Sequence, residues 1–175
     1  MLCNFGRSGT QVRLSERAPN ELFQQAVRVS GRGTRELWPS VSIAADGRVC
    51  VAWDRAVGTA KHYDANIVRT EVGCAAPGSP FPTPAWQTGP YPTQLNGPQM
   101  LAGPSGPALA RGDGDGRVVL QRLLPDGHLG PVAALSGPQV SNQTLAVDAD
   151  GRGIAVWDAS VAHKNRPEAR GFTLP

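Results

Sequence analysis

Short aliphatic runs alternate with polar turn residues along most of the chain. They include VSIA at 41–44, RVCVAW at 48–53, RVVLQRLL at 117–124 and GIAVW at 153–157. Runs of this kind bounded by Gly, Pro or Asp predict β-strands, and helical spacing is nearly absent. Residues 20–29 could form a short helix capped by Asn20, but we favour a strand because a similar pattern recurs at 126–135.

The predicted strand 48–54 is apolar on both of its faces. Val49, Val51 and Trp53 would lie on one face, and Cys50 and Ala52 on the other. A sheet with one solvated face alternates apolar and polar residues, so this strand is expected in a sheet covered on both sides. Stacked blades provide that environment, and so does the middle of a large sandwich.

One twelve-residue segment occurs twice, at 43–54 and 147–158, with a constant offset of 104 and six identities. The repeated positions that we expect to be structural are Asp46, Gly47, Trp53, Asp54, Asp150, Gly151, Trp157 and Asp158. A degenerate copy at 104–113 has Gly112 at the tryptophan position, and 19–31 resembles 125–137 at an offset of 106. Repeats of roughly 50 residues are typical of propeller blades.

Asp-Gly pairs adjoin the predicted strands, beginning at Asp46, Asp113, Asp115, Asp126 and Asp150. Type I′ hairpin turns need positive φ at both central residues, which Asp tolerates and Gly adopts freely, so we predict type I′ turns. The DxDG strings at 113–116 and 148–151 could also suggest calcium loops. An EF-hand needs Glu at position twelve, where this chain has Leu124 and Ala159, so we favour turns and expect no metal site.

The segment PSVSIAADGRVCVAWDRA…YDANIVRTEVG resembles bacterial-neuraminidase-type repeats, which read loosely P-x-hydrophobic-A-x-D-x-G-x-hydrophobic-V-x-W. RVVLQRLLPDGHLGPVAALSG is similar to the third and fourth strands of tandem blades in bacterial repeat proteins. The resemblance covers about residues 11–175 and implies four-stranded antiparallel blades. The sialidase Asp-box, S-x-D-x-G-x-x-W, is absent, because Trp53 stands six residues after Gly47, so sialidase activity is not carried over.

We therefore predict an all-β fold of four-stranded antiparallel blades, a partial or oligomer-completed β-propeller, with a β-sandwich as the alternative. The predicted parts are an N-terminal extension at 1–10 and a repeat domain at 11–175, which divides into a partial blade at 11–31, blades at 39–96 and 97–137, and a partial blade at 138–175. If the outer pieces combine, the chain holds about three blades, whereas closed propellers have four to eight. Either several chains complete one ring as a homo-oligomer, or the sequence is part of a longer domain or a shortened reading frame.

Charge and composition narrow the choice of partners. Only 18% of residues are charged, and the net charge of +3 comes almost entirely from Arg, with Lys only at 61 and 164. Because the basic residues form no stripe and no RNA- or DNA-binding motif occurs, we expect no nucleic acid partner. We also expect no cofactor. No run reaches membrane-spanning length and the N-terminus lacks an apolar signal region, so we expect no membrane partner and a cytoplasmic start, although similar repeat proteins are often secreted.

The chain has three cysteines, Cys3, Cys50 and Cys74, without the spacing of a zinc site. Cys50 lies in the buried strand, where we expect it to behave as a small hydrophobe. The alternative is a disulfide between Cys3 and Cys74, which would leave Cys50 as the one free cysteine.

Aromatic residues supply the candidate binding site. Trp53 and Trp157 could form a ligand-stacking ring, but core packing is favoured because Trp buries a large area, and Asp54 and Asp158 are expected to accept hydrogen bonds rather than act as acids. The stretch 75–92 has six prolines and contains Phe81, Trp86 and Tyr91, which could stack on a sugar or a peptide. Alternatively, this stretch is an inserted connection whose aromatic residues cover a blade edge.

Three functions remain open at this point. The favoured one is a non-catalytic binding or interaction module with a carbohydrate or protein ligand, because no catalytic set is assembled. The second is a fragment or subunit of a sialidase-like glycoside hydrolase, which would need an arginine cluster and a tyrosine nucleophile. The third is a structural segment of a larger repeat protein.

Overall fold

A computed structural model describes residues 2–6, 9–17, 20–31, 35–59, 62–82, 86–92, 96–161 and 164–174. For residues 2–6, 9, 10, 58, 59, 62–67, 86–88, 91, 92 and 161 it describes the backbone alone. Across these ranges the chain forms fourteen strands and no helix, all paired antiparallel. The all-β antiparallel fold class predicted from the sequence is confirmed. At 20–29 only a two-residue strand forms.

The strands follow one another as neighbours in four separate sheets. The first sheet contains β1 (Leu2–Gly6), β2 (Gly9–Leu14) and β3 (Val27–Arg28), and the second contains β4 (Glu36–Ile43), β5 (Val49–Thr59), β6 (His62–Ala75) and β7 (Trp86–Pro92). The third contains β8 (Gln99–Gly103), β9 (Gly106–Gly112), β10 (Val118–Arg122) and β11 (Ala133–Ala134), and the fourth contains β12 (Val140–Val147), β13 (Arg152–Val161) and β14 (Lys164–Thr173).

The first sheet begins at Leu2, within the segment 1–10 that the sequence placed in an extension. β1 belongs to the sheet because it pairs with β2 from Leu2 opposite Arg13 to Gly6 opposite Gly9. The outer pieces also do not combine into one blade among the described strands, since the first and fourth sheets are separate.

The hairpin turns built on Asp-Gly are type I turns closed by a glycine bulge, so the predicted type I′ geometry is wrong. Positive φ occurs at the glycines Gly47, Gly116, Gly127 and Gly151, at 72° to 85°, and not at the aspartates that precede them. In the first of these turns the Gly47 N–H donates to Ala44 O and the Ala44 N–H donates to Arg48 O, both at 2.9 Å. This pattern belongs to three-residue hairpin loops, in which a type I turn is followed by one left-handed residue.

Aspartate carboxylates support these turns. Asp46 accepts hydrogen bonds from the Arg48 backbone N–H at 3.1 Å and from the Arg48 side chain at 2.7 Å, and these bonds lower the pKa of Asp46. In both DxDG strings the first aspartate accepts two backbone amides of its own turn, at 2.8 to 3.0 Å. Both DxDG strings therefore form hairpin turns, as predicted.

Consecutive sheets pack face to face, with an apolar core between each pair. The core between the first and second sheets contains Val12, Leu14, Val29, Val49, Val51 and Trp53. The next core contains Cys50, Ala52, Val72, Met100, Leu109 and Leu123, and the last contains Leu101, Ala108, Ala110, Val118, Leu120, Leu135, Val140, Ala155, Trp157 and Leu174. Residues of β5 therefore alternate between two cores, which confirms the prediction of a strand covered on both sides.

Hydrogen bonds between the leading strands of neighbouring sheets also repeat. The Met100 N–H donates to Ser40 Oγ, and the Leu145 N–H donates to Gln99 Oε1, each at 2.9 Å. Ser40 and Gln99 occupy equivalent positions in β4 and β8, offset by 59 residues. The same side chain-to-backbone bond thus links the second sheet to the third and the third to the fourth.

The segments related by an offset of 106 make the same hydrogen bonds. In the first sheet the Val12 N–H donates to Ser30 Oγ at 3.0 Å, and Val12 O accepts from the Val29 N–H. In the third sheet the Val118 N–H donates to Ser136 Oγ at 2.8 Å, and Val118 O accepts from the Leu135 N–H. The resemblance between 19–31 and 125–137 therefore reflects a shared structure.

Cys50 and Cys74 lie directly opposite each other on β5 and β6 and form a disulfide. The expectation that Cys50 is a free hydrophobic thiol is wrong, and so is the Cys3–Cys74 alternative, because Cys74 is bonded to Cys50. Cysteines 24 residues apart become neighbours through the register of a long hairpin, in which their Cα atoms are 4.1 Å apart. The side chain of Cys3 lies outside the described residues.

Candidate functional site

Phe81 lies where the chain leaves β6, between the first and second sheets. Its half-buried ring packs against the core that these sheets share. The ring also lies over Gly73, where an added Cβ would be 2.8 Å from the Phe81 Cε1 atom. The absence of a side chain at Gly73 thus allows the ring to lie close to β6 and form one wall of a groove.

We call this groove, of about 480 Å³, the Phe81 groove. Its lining consists of Leu14, Glu16, Gln24, Gln25, Val27, Arg28, Gly78, Ser79, Pro80 and Phe81. The volume lies in the range of small-molecule sites, which combine an apolar wall with a few placed polar groups.

The polar groups of the groove lie on a segment that backbone hydrogen bonds hold in place. The Gln24 N–H donates to Glu16 O at 2.9 Å, and Ser15 Oγ donates to Gln24 O at 2.5 Å. Arg28 Nε donates to Ser30 O at 2.9 Å, which orients the guanidinium. A carboxylate, two amides and a guanidinium therefore line the same groove as the Phe81 ring.

A second groove, of about 470 Å³, lies at the equivalent place between the third and fourth sheets. We call it the Phe172 groove; its lining is Leu120, Arg122, Leu124, Gly130, Pro131, Val132, Ala133, Leu135, Phe172 and Thr173. At an offset of 106, Gln24 and Gln25 correspond to Gly130 and Pro131. The repeat fold therefore does not require the amides of the Phe81 groove.

Trp86 and Tyr91 lie in β7, and only their backbones are described. β7 pairs with β6, with Trp86 opposite Val72 and Tyr91 opposite Val68. In the proline-rich stretch 75–92, Ala75 ends β6, residues 76–82 belong to a connection, and the last seven residues form the fourth strand of the second sheet. Of the three aromatic residues proposed for binding, Phe81 is the one whose side chain can be assigned to a site.

Trp53 and Trp157 have equivalent surroundings in the cores. Trp53 is fully buried and donates its indole N–H to Glu71 Oε2 at 3.0 Å. Trp157 is 4% exposed and donates to Glu168 Oε2 at 3.3 Å. In each pair the glutamate lies opposite the tryptophan on the next strand. Both indoles are buried in cores between sheets, where no ligand-stacking ring can form.

The third sheet has Arg111 at the tryptophan position, and the alignment to Gly112 is wrong by one residue. Val41 and Met100 are equivalent residues of the second and third sheets. Val41 pairs with Val51, which follows it by ten residues, whereas Met100 pairs with Leu109, which follows it by nine. The hairpin of the third sheet is therefore one residue shorter, and the residue equivalent to Trp53 comes one position earlier than the sequence alignment places it. Arg111 donates to Gln121 Oε1 through Nε at 3.2 Å and Nη2 at 2.9 Å, a polar counterpart of the Trp-Glu pairs.

The aspartates that follow the two tryptophans accept hydrogen bonds from side chains. Thr70 Oγ1 donates to Asp54 Oδ1 at 2.6 Å, and Asn142 Nδ2 donates to Asp158 Oδ2 at 2.9 Å. Asp54 is buried and Asp158 is half-buried, and neither lines the Phe81 groove.

Glu71 is a buried acidic group beside Trp53. It is 1% exposed, and its Oε1 lies 2.7 Å from Arg55 Nη1. Burial raises the pKa of Glu71 above its ordinary value of 4.5, while Arg55, the Trp53 indole and Arg69 oppose the shift. Because the Trp-Glu pair recurs in the fourth sheet and Glu71 has almost no access to solvent, we assign this carboxyl to the packing between strands rather than to ligand contact.

Stability should fall as the pH rises from about the ordinary value of 4.5 through the raised pKa of Glu71. In that range the folded state holds the Glu71 proton more tightly than the unfolded state does, so deprotonation favours unfolding. Glu71→Gln keeps an acceptor for Trp53 and has no proton to lose. The measurement is the free energy of unfolding in urea of the native chain and of the variant at several pH values. The value for the native chain, less the value for the variant, should decrease as the pH rises. An increase would contradict a raised pKa of Glu71.

Sequence reasoning missed Glu16, Gln24, Gln25 and Arg28 as site residues. At an offset of 106 the equivalent positions are Arg122, Gly130, Pro131 and Ala134, whose side chains differ in chemistry. This difference between two otherwise similar segments is the sequence signal that could have identified the four residues.

Among the described side chains, no group of three or more His, Cys, Asp and Glu residues could hold a metal ion. The described part of the chain has no helix of the length and apolarity needed to cross a bilayer.

Comparisons with protein-family models, curated proteins and solved structures found no match to this chain.

Proposed function

We propose that this chain is a non-catalytic binding module that holds a carbohydrate in the Phe81 groove. The observation that carries the proposal is the combination of an aromatic wall with Glu16, Gln24, Gln25 and Arg28 in one groove. Amide, carboxylate and guanidinium groups donate to and accept from sugar hydroxyls, while the apolar face of a pyranose ring stacks on an aromatic side chain.

We further propose that the four sheets are blades of the propeller type that the sequence resembles. Support comes from the sheet-by-sheet repetition of the core packing, the Trp-Glu pairs and the bonds between leading strands. Grooves between adjacent blades then occur at regular places, and each groove can acquire its own lining. In this proposal the first groove has the polar lining of a sugar site.

A glycan array probed with the folded chain tests the carbohydrate proposal. We expect a defined set of glycans to be retained, and binding of a hit measured by calorimetry should weaken about tenfold or more in Gln25→Ala and Arg28→Ala, because each loses hydrogen bonds to the sugar. Asn165→Ala, at an exposed polar residue of β14 outside the groove, is the matched control and should bind like the native chain. An array without signal, or affinity unchanged in both groove variants, would overturn the proposal.

A further inference from the structure

The Phe172 groove differs in charge from the Phe81 groove, although the two lie at equivalent places in the repeat. At the offset of 106, Glu16 corresponds to Arg122 and Arg28 corresponds to Ala134. The lining of the Phe81 groove therefore carries charges of both signs, whereas Arg122 is the one charged residue among the described residues that line the Phe172 groove. The two grooves should therefore select ligands of different chemistry.

Apolar side chains form most of the Phe172 groove and stay accessible to a ligand. Phe172 is half-buried and packs against the core between the third and fourth sheets. Its ring lies against Gly153, where an added Cβ would clash with it. Among the other lining residues, Leu124 is half-buried and Val132 is 55% exposed. An open groove of about 470 Å³ with these walls has the size and the lining of a site for a small apolar ligand.

Arg122 places a positive charge in this apolar groove. Its half-buried side chain lies on the same face of β10 as Leu120, which packs in the core with the fourth sheet. Arg122 Nη2 donates to Ser105 O, and this bond orients the guanidinium. The Nε atom is buried, and no described residue accepts a hydrogen bond from it. Because an unpaired donor costs free energy and none of the described lining residues is acidic, this guanidinium is suited to an anion that a ligand supplies.

A second guanidinium lies next to the groove. Arg170 Nη1 donates at 3.1 Å to the carbonyl oxygen of Leu135, which is a lining residue. Charges interact more strongly beside a partly desolvated groove than they do in bulk water. Two cations at this place therefore favour an anionic ligand and disfavour a cationic one.

We propose that the Phe172 groove binds a small monocarboxylate with an apolar body. The hydrocarbon part of the ligand packs against Phe172, Leu124 and Val132, and the carboxylate pairs with the Arg122 guanidinium, whose planar donors match the geometry of a carboxylate. The groove lies between the third and fourth sheets and shares no lining residue with the Phe81 groove. Failure of this proposal would therefore leave the carbohydrate proposal untouched.

Three ligands that share one alkyl chain test the charge selectivity. Octanoate, octanamide and octylamine are titrated separately into the native chain, and binding is followed by the NMR shifts of the backbone amides. Octanoate should bind about tenfold or more tightly than octanamide, because the ion pair with Arg122 is added to the same apolar contact, and octylamine should bind most weakly. The amides of Gly130 and Ala133, two lining residues, should shift with octanoate. Equal affinity for octanoate and octanamide, or octanoate shifts confined to other parts of the chain, would overturn the proposal.

Two variants and a control assign the selectivity to the groove. Arg122→Gln should reduce the affinity for octanoate to that for octanamide, because only the charge of the ligand loses its partner. Val132→Asp, at a side chain that is 55% exposed, should keep the native circular dichroism spectrum and reverse the preference toward octylamine. Arg166→Gln removes the same charge from an exposed position of β14 outside the groove and should bind octanoate like the native chain. Unchanged octanoate affinity in both groove variants, or equal weakening in Arg166→Gln, would contradict the assignment.

Discussion

Replacing Trp53 with alanine should lower the free energy of unfolding by about 4 kcal/mol, the largest single-residue effect that we expect. Trp53 is fully buried against Val12, Leu14 and Val29 of the first sheet, so truncation leaves a cavity that rigid strands on both sides cannot fill. The buried Glu71 carboxylate also loses the indole N–H that lies 3.0 Å from it. Since small domains have only about 5–15 kcal/mol of stability, this loss should be visible as a large decrease in the urea midpoint.

Two further variants separate the causes. Trp53→Phe retains most of the apolar volume but removes the donor to Glu71, and it should cost about 1–3 kcal/mol, the penalty for an unpaired buried group. Phe23→Ala removes a similarly large aromatic side chain that is 63% exposed and contacts Arg17, and it should cost less than about 1 kcal/mol. If Trp53→Ala cost no more than Phe23→Ala, the core between the first and second sheets would not be packed as described.

Removing the Cys50–Cys74 disulfide should lower stability by about 3 kcal/mol. The bond closes a loop between residues 24 apart, and opening that loop returns conformational entropy to the unfolded chain. The measurement is urea unfolding of Cys50→Ala with Cys74→Ala against the native chain. Dithiothreitol should lower the native midpoint toward that of the double variant and leave the double variant unchanged.

Cys3→Ala provides the control for this experiment, because Cys3 takes no part in the bond. It should unfold like the native chain and keep its sensitivity to dithiothreitol. Equal loss of stability in Cys3→Ala, or a double variant as stable as the native chain, would contradict the pairing. A disulfide that contributes this much is best maintained in an oxidising environment, so we expect higher yields of folded protein there.

Several structural features could be predicted from short stretches of sequence. The aliphatic runs and Asp-Gly pairs marked the strands and turns, and the two apolar faces of 48–54 placed one strand between two sheets. The offset of 104 identified Trp53 and Trp157 as equivalent, and both are buried beside a glutamate. These features follow from local rules, since side chains alternate along a strand and turn residues have intrinsic φ preferences.

Other features depended on how the hairpins pair. Arg111 rather than Gly112 occupies the third tryptophan position because one hairpin is a residue shorter. The turn type also differed from the prediction, since an Asp-Gly pair is compatible with both type I′ and the glycine-bulge geometry, and the strand ends select between them. A difference of one residue in register exchanges the two faces of a strand, which an alignment of repeats cannot detect.

By itself, the sequence determined an all-β chain of repeated antiparallel hairpins with buried tryptophans, because alternation, turn chemistry and repetition are encoded within a few residues. Only the tertiary structure decided the partner of Cys74, the assembly of the Phe81 groove from residues 14–28 and 78–81, and the exposure of Ile154. These depend on the register between distant strands and on which sheet packs against which. Cys50 and Ile154 occupy the same position in the repeat, yet one is buried and the other is 50% exposed, because a following sheet covers only the first.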